Sequence, residues 1–147
     1  MKILIISPGK AHDYTVADGI REYEKRLEKR FSLSWVHPTP GTKESEGAAI
    51  LKQIKDTDTV VLLDERGRDI DTQGGAKLLE KIMLSGTKRL VFVIGGAFGV
   101  DEAVAARANH TVKLSSLVFP HMLVRLILVE QLYRALSILD GGKYHHA

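Results

Sequence analysis

Val91-Phe92-Val93-Ile94 is apolar at every position and stops at Gly95-Gly96, so it reads as a strand covered on both faces. A strand with one wet face would alternate. The strand is expected over Arg89 to Ile94, and further β-rich runs stand at Lys2 to Ile6, Ser32 to Val36, Thr59 to Leu63 and Thr111 to Lys113, with helical patterns between them. Thr15 to Arg30 carries Ile20, Tyr23 and Leu27 at helical spacing, and Gly47 to Lys55 carries Ala48, Leu51 and Ile54. Asp71 or Thr72 can cap a helix that runs through Met83 and ends near Gly86, and Asp101 can cap Glu102 to Ala108. Strands alternating with helices predict an α/β fold, a parallel sheet in a three-layer domain.

The last helical pattern, Met122 to Leu139, is apolar in nearly every direction but holds Arg125, Glu130 and Arg134. A solvated helix keeps its charges on one face, so these groups are expected to be largely enclosed. Glu130 and Arg134 stand at i,i+4 and can satisfy each other. Arg125 has no carboxylate at helical spacing and must look to another element, another subunit or a ligand. The three charges also make the stretch a poor membrane span, and Pro8-Gly9 break the N-terminal apolar run before it reaches the length of a signal-peptide core. No membrane association is expected.

A chain of 147 residues fits one domain, taken here as residues 1–147. Its net charge of +3 is compatible with RNA but does not demand it. The absence of cysteine excludes disulfides, zinc ribbons and thiol catalysis, and fits a reducing cytoplasm. His145-His146 lack a third ligand at a fitting spacing, so no metal is expected.

Two segments carry the candidate chemistry. Gly95, Gly96 and Gly99 follow a strand and precede the helix capped by Asp101, where glycines allow close backbone approach to a ligand or simply make a tight turn. The spacing is G-G-x-x-G, and Ser115 stands where a ribose-binding acid would be sought, which counts against a dinucleotide fold. Leu114-Ser115-Ser116-Leu117-Val118-Phe119 offers backbone polar groups between apolar side chains, the usual build of a cofactor pocket and equally that of a buried connection. His121 opens the last helix as a cap, a packing residue or a catalyst. Arg125, one turn on, can bind phosphate or polarise a carbonyl.

The order Leu63-Asp64-Glu65-Arg66-Gly67, Phe92-Val93-Ile94-Gly95-Gly96 with Gly99, Leu114-Ser115-Ser116, Phe119-Pro120-His121, Arg125, Glu130-Gln131-Leu132-Tyr133-Arg134-Ala135 and Tyr144-His145 resembles the RlmH family of SPOUT methyltransferases along the whole chain. The resemblance implies a C-terminal trefoil knot and S-adenosylmethionine as cofactor. It also implies methylation of N3 of a pseudouridine in the helix-69 loop of 23S rRNA in assembled ribosomes. It assigns Gly95, the loop Leu114 to Phe119 and Leu63 to the cofactor, and the Tyr144-His145 tail to the substrate side. With Arg125 and His121, these tail residues are the candidates for handling the N3 proton. Lys143 stands where members of the family often carry Pro. An enclosed apolar helix on so small a protomer also points to a C2 homodimer. A nucleotide-binding flavodoxin-like enzyme and a non-catalytic ribosome-binding module are the rival readings.

Overall fold

The computed structural model describes residues 1–146, and Ala147 at the end of the tail lies outside the described residues. Five strands, β1 (Lys2–Ile6), β2 (Ser32–Val36), β3 (Thr59–Asp69), β4 (Arg89–Ile94) and β5 (His110–Lys113), pair in parallel in the order β2-β1-β4-β3-β5. Five helices alternate with them: α1 (Tyr14–Leu27), α2 (Lys43–Lys52), α3 (Thr72–Leu84), α4 (Glu102–Arg107) and α5 (His121–Leu139).

The two-residue period of the strands sorts the core into two layers. Ile3 and Ile5 of β1 face one way and meet Ile20 of α1, Leu79 of α3 and Leu128 and Leu132 of α5. Leu4 and Ile6 face the other way and meet Ile50 of α2 and Val104 of α4. Both faces of β4 are accordingly buried from Leu90 to Ile94, as its unbroken apolar run predicts.

Strands β1, β2 and β4 fall on the expected residues, and the caps form at Asp71, which accepts from the Gly74 amide at 2.7 Å, and at Asp101, which accepts from Val104 at 3.0 Å. Helix α2 instead starts and ends early, because Thr42 caps it through the Ser45 amide and its polar first turn buries Glu46. Strand β3 runs six residues past the expected end at Leu63. Leu63 and Arg68 both pair with Val112, so Asp64 to Gly67 loop out between them and the chain then rejoins β5. Asp64 shapes this bulge by accepting from the Arg66 amide at 2.8 Å and from Arg66 Nε at 2.9 Å. Gly67 lies flat on β5, where a Cβ would sit 2.6 Å from the Val112 carbonyl carbon.

Candidate active site at the C-terminal edge of the sheet

In a parallel sheet the ends of the strands and the loops that leave them form the natural ligand crevice. Here a cleft of about 480 Å³ runs from that edge along the sheet face between α3 and α5, with Leu63, Leu114, Ser115 and Phe119 in its wall and Phe92 and Leu90 along its floor. Its other polar groups include Thr72 and Gln131, joined by a hydrogen bond from Thr72 Oγ1 to Gln131 Oε1 of 2.9 Å. A mostly apolar slot of this size with few polar contacts suits a flat heteroaromatic group. A wider basin of about 990 Å³, lined by Met1, Phe31 and Lys88 among others, lies at the opposite edge, away from every candidate residue.

The loop Leu114 to Phe119 divides its residues. Leu114, Ser115 and Phe119 turn into the cleft, and Ser115 Oγ accepts from the Leu117 amide at 2.9 Å, which curls the loop. Ser116, Leu117 and Val118 turn outward, Leu117 being 71% and Val118 92% exposed. Gly95 lies at the same edge but outside the cleft wall. A Cβ on it would meet Val100 Cγ1 at 3.2 Å and the Gly99 carbonyl carbon at 3.3 Å. A side chain at Gly95 would thus press on its own turn, which is closed by Gly99 N to Gly96 O at 3.0 Å and in which Gly99, at φ +81°, is the position that favours glycine.

Arg125 is fully buried and its guanidinium is spoken for. Nε donates to Ser7 Oγ at 2.8 Å, Nη1 to the Lys10 carbonyl at 2.9 Å, and Nη2 to the carbonyls of Ser7 and Pro8 at 3.2 Å each. The other element that Arg125 requires is thus the β1–α1 loop, and nothing on the side chain remains directed at a phosphate or a uracil carbonyl. Three imidazoles surround it. His12 lies 3.4 Å from Nη1 and packs edge-on against Trp35, His37 bonds the Ser7 carbonyl through Nδ1, and His121 stands beside Gly9 at the start of α5. Burial and the Arg125 charge push His12 down to about 4, and the same causes lower His121, which is therefore neutral and able to accept a proton at pH 7.

The tail folds back on its own protomer. Tyr144 donates to Glu130 Oε1 at 3.1 Å and pairs with the Tyr23 hydroxyl at 2.9 Å, its ring 4.8 Å from that of Tyr133. Arg134 bonds the same Glu130 at 2.6 Å, as their spacing predicts, and its Nη1 lies 3.3 Å from His145 Nδ1. Burial and the hydrogen bonds to Tyr23 and Glu130 hold the Tyr144 phenol protonated, well above its ordinary range. From His121 to Arg134 the helix rises about 20 Å at ~1.5 Å per residue. One protomer thus keeps His121 beside the loop Leu114 to Phe119 and Tyr144 and His145 far from it.

Residues 1–145 match a family model described as "Predicted SPOUT methyltransferase". The "Ribosomal RNA large subunit methyltransferase H" of Clostridium botulinum (strain Kyoto / Type A2) is 40% identical over 99% of both chains. The protein of the same name from Porphyromonas gingivalis is 38% identical, again over 99% of both. This chain belongs to the RlmH family of SPOUT methyltransferases. A solved structure, "a probable methylase family protein from Haemophilus influenzae Rd KW20", superposes with a TM-score of 0.56 at 10% identity. It covers 95% of this chain and 66% of the other, and shows the shared fold alone.

Within that RlmH frame, sequence reasoning passed over Glu46, Gly67 and Gln131 as individual residues. Gln131 was legible only as part of a motif, since nothing in a helix of that apolarity says which polar residue faces a cleft. Among the described residues no cluster of His, Cys, Asp or Glu could hold a metal ion, and no helix is long and apolar enough to cross a membrane.

Proposed function

We propose that this protein is an S-adenosylmethionine-dependent methyltransferase acting on N3 of a pseudouridine in the helix-69 loop of 23S rRNA, on assembled ribosomes in the cytoplasm. The observation that carries the reading is the end-to-end match to the large-subunit rRNA methyltransferases at 40% identity, with the expected loop walling the cleft. The residues present fit the cofactor. Leu63, Leu114 and Phe119 supply apolar contact for an adenine, and Ser115 and the loop backbone supply polar partners for its edge. Gly95 and the outward Ser116, Leu117 and Val118 border the methyl-donor end.

When bound, the cofactor supplies a methyl group already activated on a sulfonium, so the protein has mainly to orient the base, exclude water and take up the N3 proton. His121 is neutral, adjoins the loop and can receive that proton. Tyr144 is fixed as a hydrogen-bond donor by Glu130, and His145 beside Arg134 carries the polar end of the tail. Arg125 serves the site by tying the β1–α1 loop to α5 below His121.

Because Tyr144 and His145 lie remote from the cleft of their own protomer, we assign the active form to a C2 homodimer in which a second copy brings its tail to this cleft. The exposed Leu117, Val118 and Leu123 are apolar surface for that contact. The whole chain acts as one domain, with the segment from β5 into α5 threaded as a trefoil knot. Calorimetry with S-adenosylhomocysteine, NAD and ATP tests the cofactor assignment. S-adenosylhomocysteine alone should bind. Binding of NAD or ATP in its place would favour a flavodoxin-like nucleotide enzyme.

A further inference from the structure

Glu46, on the first turn of α2, is a largely buried carboxylate, 8% exposed, with no ion pair among the described residues. Its Oε2 accepts from the Gly41 amide at 2.9 Å. Its other oxygen faces the Gly95–Gly99 turn so closely that a Cβ built on Gly96 would collide with Oε1 and lie 3.1 Å from the carboxyl carbon. The contact has a mirror image one residue on. A Cβ on Gly47 would sit 2.7 Å from Asp101 Oδ1, and Asp101 is the residue whose other work is to cap α4. Each element therefore sets a bare glycine against a carboxylate of the other.

A carboxylate packed this deeply gives up part of its hydration, so one that served packing alone would be better replaced by an apolar side chain. What Glu46 does that no apolar residue can is bond Gly41 while standing against the Cα of Gly96. We infer that Glu46 is a positioning residue for the Gly95–Gly99 turn: it joins the β2–α2 loop to that turn and fixes the path of the backbone at the edge of the cofactor site. The inference rests on the assignment of this edge to S-adenosylmethionine. Gly96 on this account is glycine because of Glu46, and Gly47 because of Asp101.

The test is a double-mutant cycle read by calorimetry with S-adenosylhomocysteine, with thermal melting alongside. Glu46→Ala should weaken binding about tenfold or more, and Gly96→Ala should do the same by pushing the carboxylate off the turn. The double variant Glu46→Ala/Gly96→Ala should be no weaker than either single one, since the methyl then enters the space the carboxylate left. Glu46→Gln keeps an acceptor for Gly41 and the same shape, and should bind within about threefold of wild type. A folded Glu46→Ala that binds at wild-type strength, or single losses that multiply in the double variant, would overturn the inference. Should Glu46→Ala fail to fold, Glu46→Asp takes its place: the shortened carboxylate should weaken binding at an unchanged melting temperature, and unaltered affinity would overturn the role. A wild type that does not bind S-adenosylhomocysteine overturns the cofactor assignment and this role together, whereas intact wild-type binding with an indifferent Glu46 overturns this role alone.

Discussion

Arg125 shows at the scale of one residue how a charge inside an apolar helix is kept. Its partners include the carbonyl oxygens of Ser7, Pro8 and Lys10, the Ser7 hydroxyl and the Met122 sulfur, so removing it leaves several buried acceptors without donors. Arg125→Ala should destabilise the fold by about 3 kcal/mol in urea titrations. Arg125→Lys should recover little, because a single ammonium cannot span the fork. A substrate-binding arginine would instead leave stability untouched and change only activity. The imidazoles beside it give a second prediction at this scale. His12 ionises near its ordinary 6.5 when unfolded and at about 4 when folded, so below pH 6.5 the unfolded chain binds more protons. Stability should be full above pH 6.5 and fall as the pH drops toward 4, with His37 and His121 acting in the same direction. His12→Asn should flatten the acid limb of a stability-against-pH curve. An unchanged slope would remove His12 from the balance. The enclosure of Arg125 was legible in the helix pattern, but its partners were not, since the β1–α1 loop has no periodicity to announce which carbonyls it turns inward.

At the scale of elements, period and caps carried the reading, and it failed where a tertiary contact replaces a local rule. The rejoining of β3 to β5 after a four-residue excursion could not be read from Asp64 to Gly67, whose charge and glycine look like an ordinary strand end. Its cause is Gly67, pressed on the β5 backbone. Gly67→Ala should cost roughly 2 kcal/mol or more, and amide exchange should speed first at Val112 and Lys113 rather than in β1 or β4. Uniform acceleration would mean that the bulge is not the weak point. Leu132 and Leu136 of α5 are buried within the protomer against the sheet, so Leu132→Glu should destabilise the fold itself in urea titrations.

For the whole molecule, the α/β class and the family were readable from hydrophobic period and a motif order, and the loop Leu114 to Phe119 proposed for the cofactor was legible as part of that order. The place of the tail was not: the length of α5 and the fold-back onto Glu130 and Arg134 set Tyr144 and His145 apart from His121. If a second copy completes the site, Val118→Glu should bring an unpaired charge to the contact and convert dimer to monomer in light scattering, with methylation lost and the fold retained. A dimeric, active Val118→Glu would place the contact elsewhere. The central claim is tested most directly by incubating the protein with labelled S-adenosylmethionine and ribosomes that lack the modification, then locating the label by mass spectrometry of the 23S rRNA. A single methyl group on N3 of a pseudouridine in the helix-69 loop is the predicted result. Label on another nucleotide, or none from a protein that binds S-adenosylhomocysteine, would contradict it.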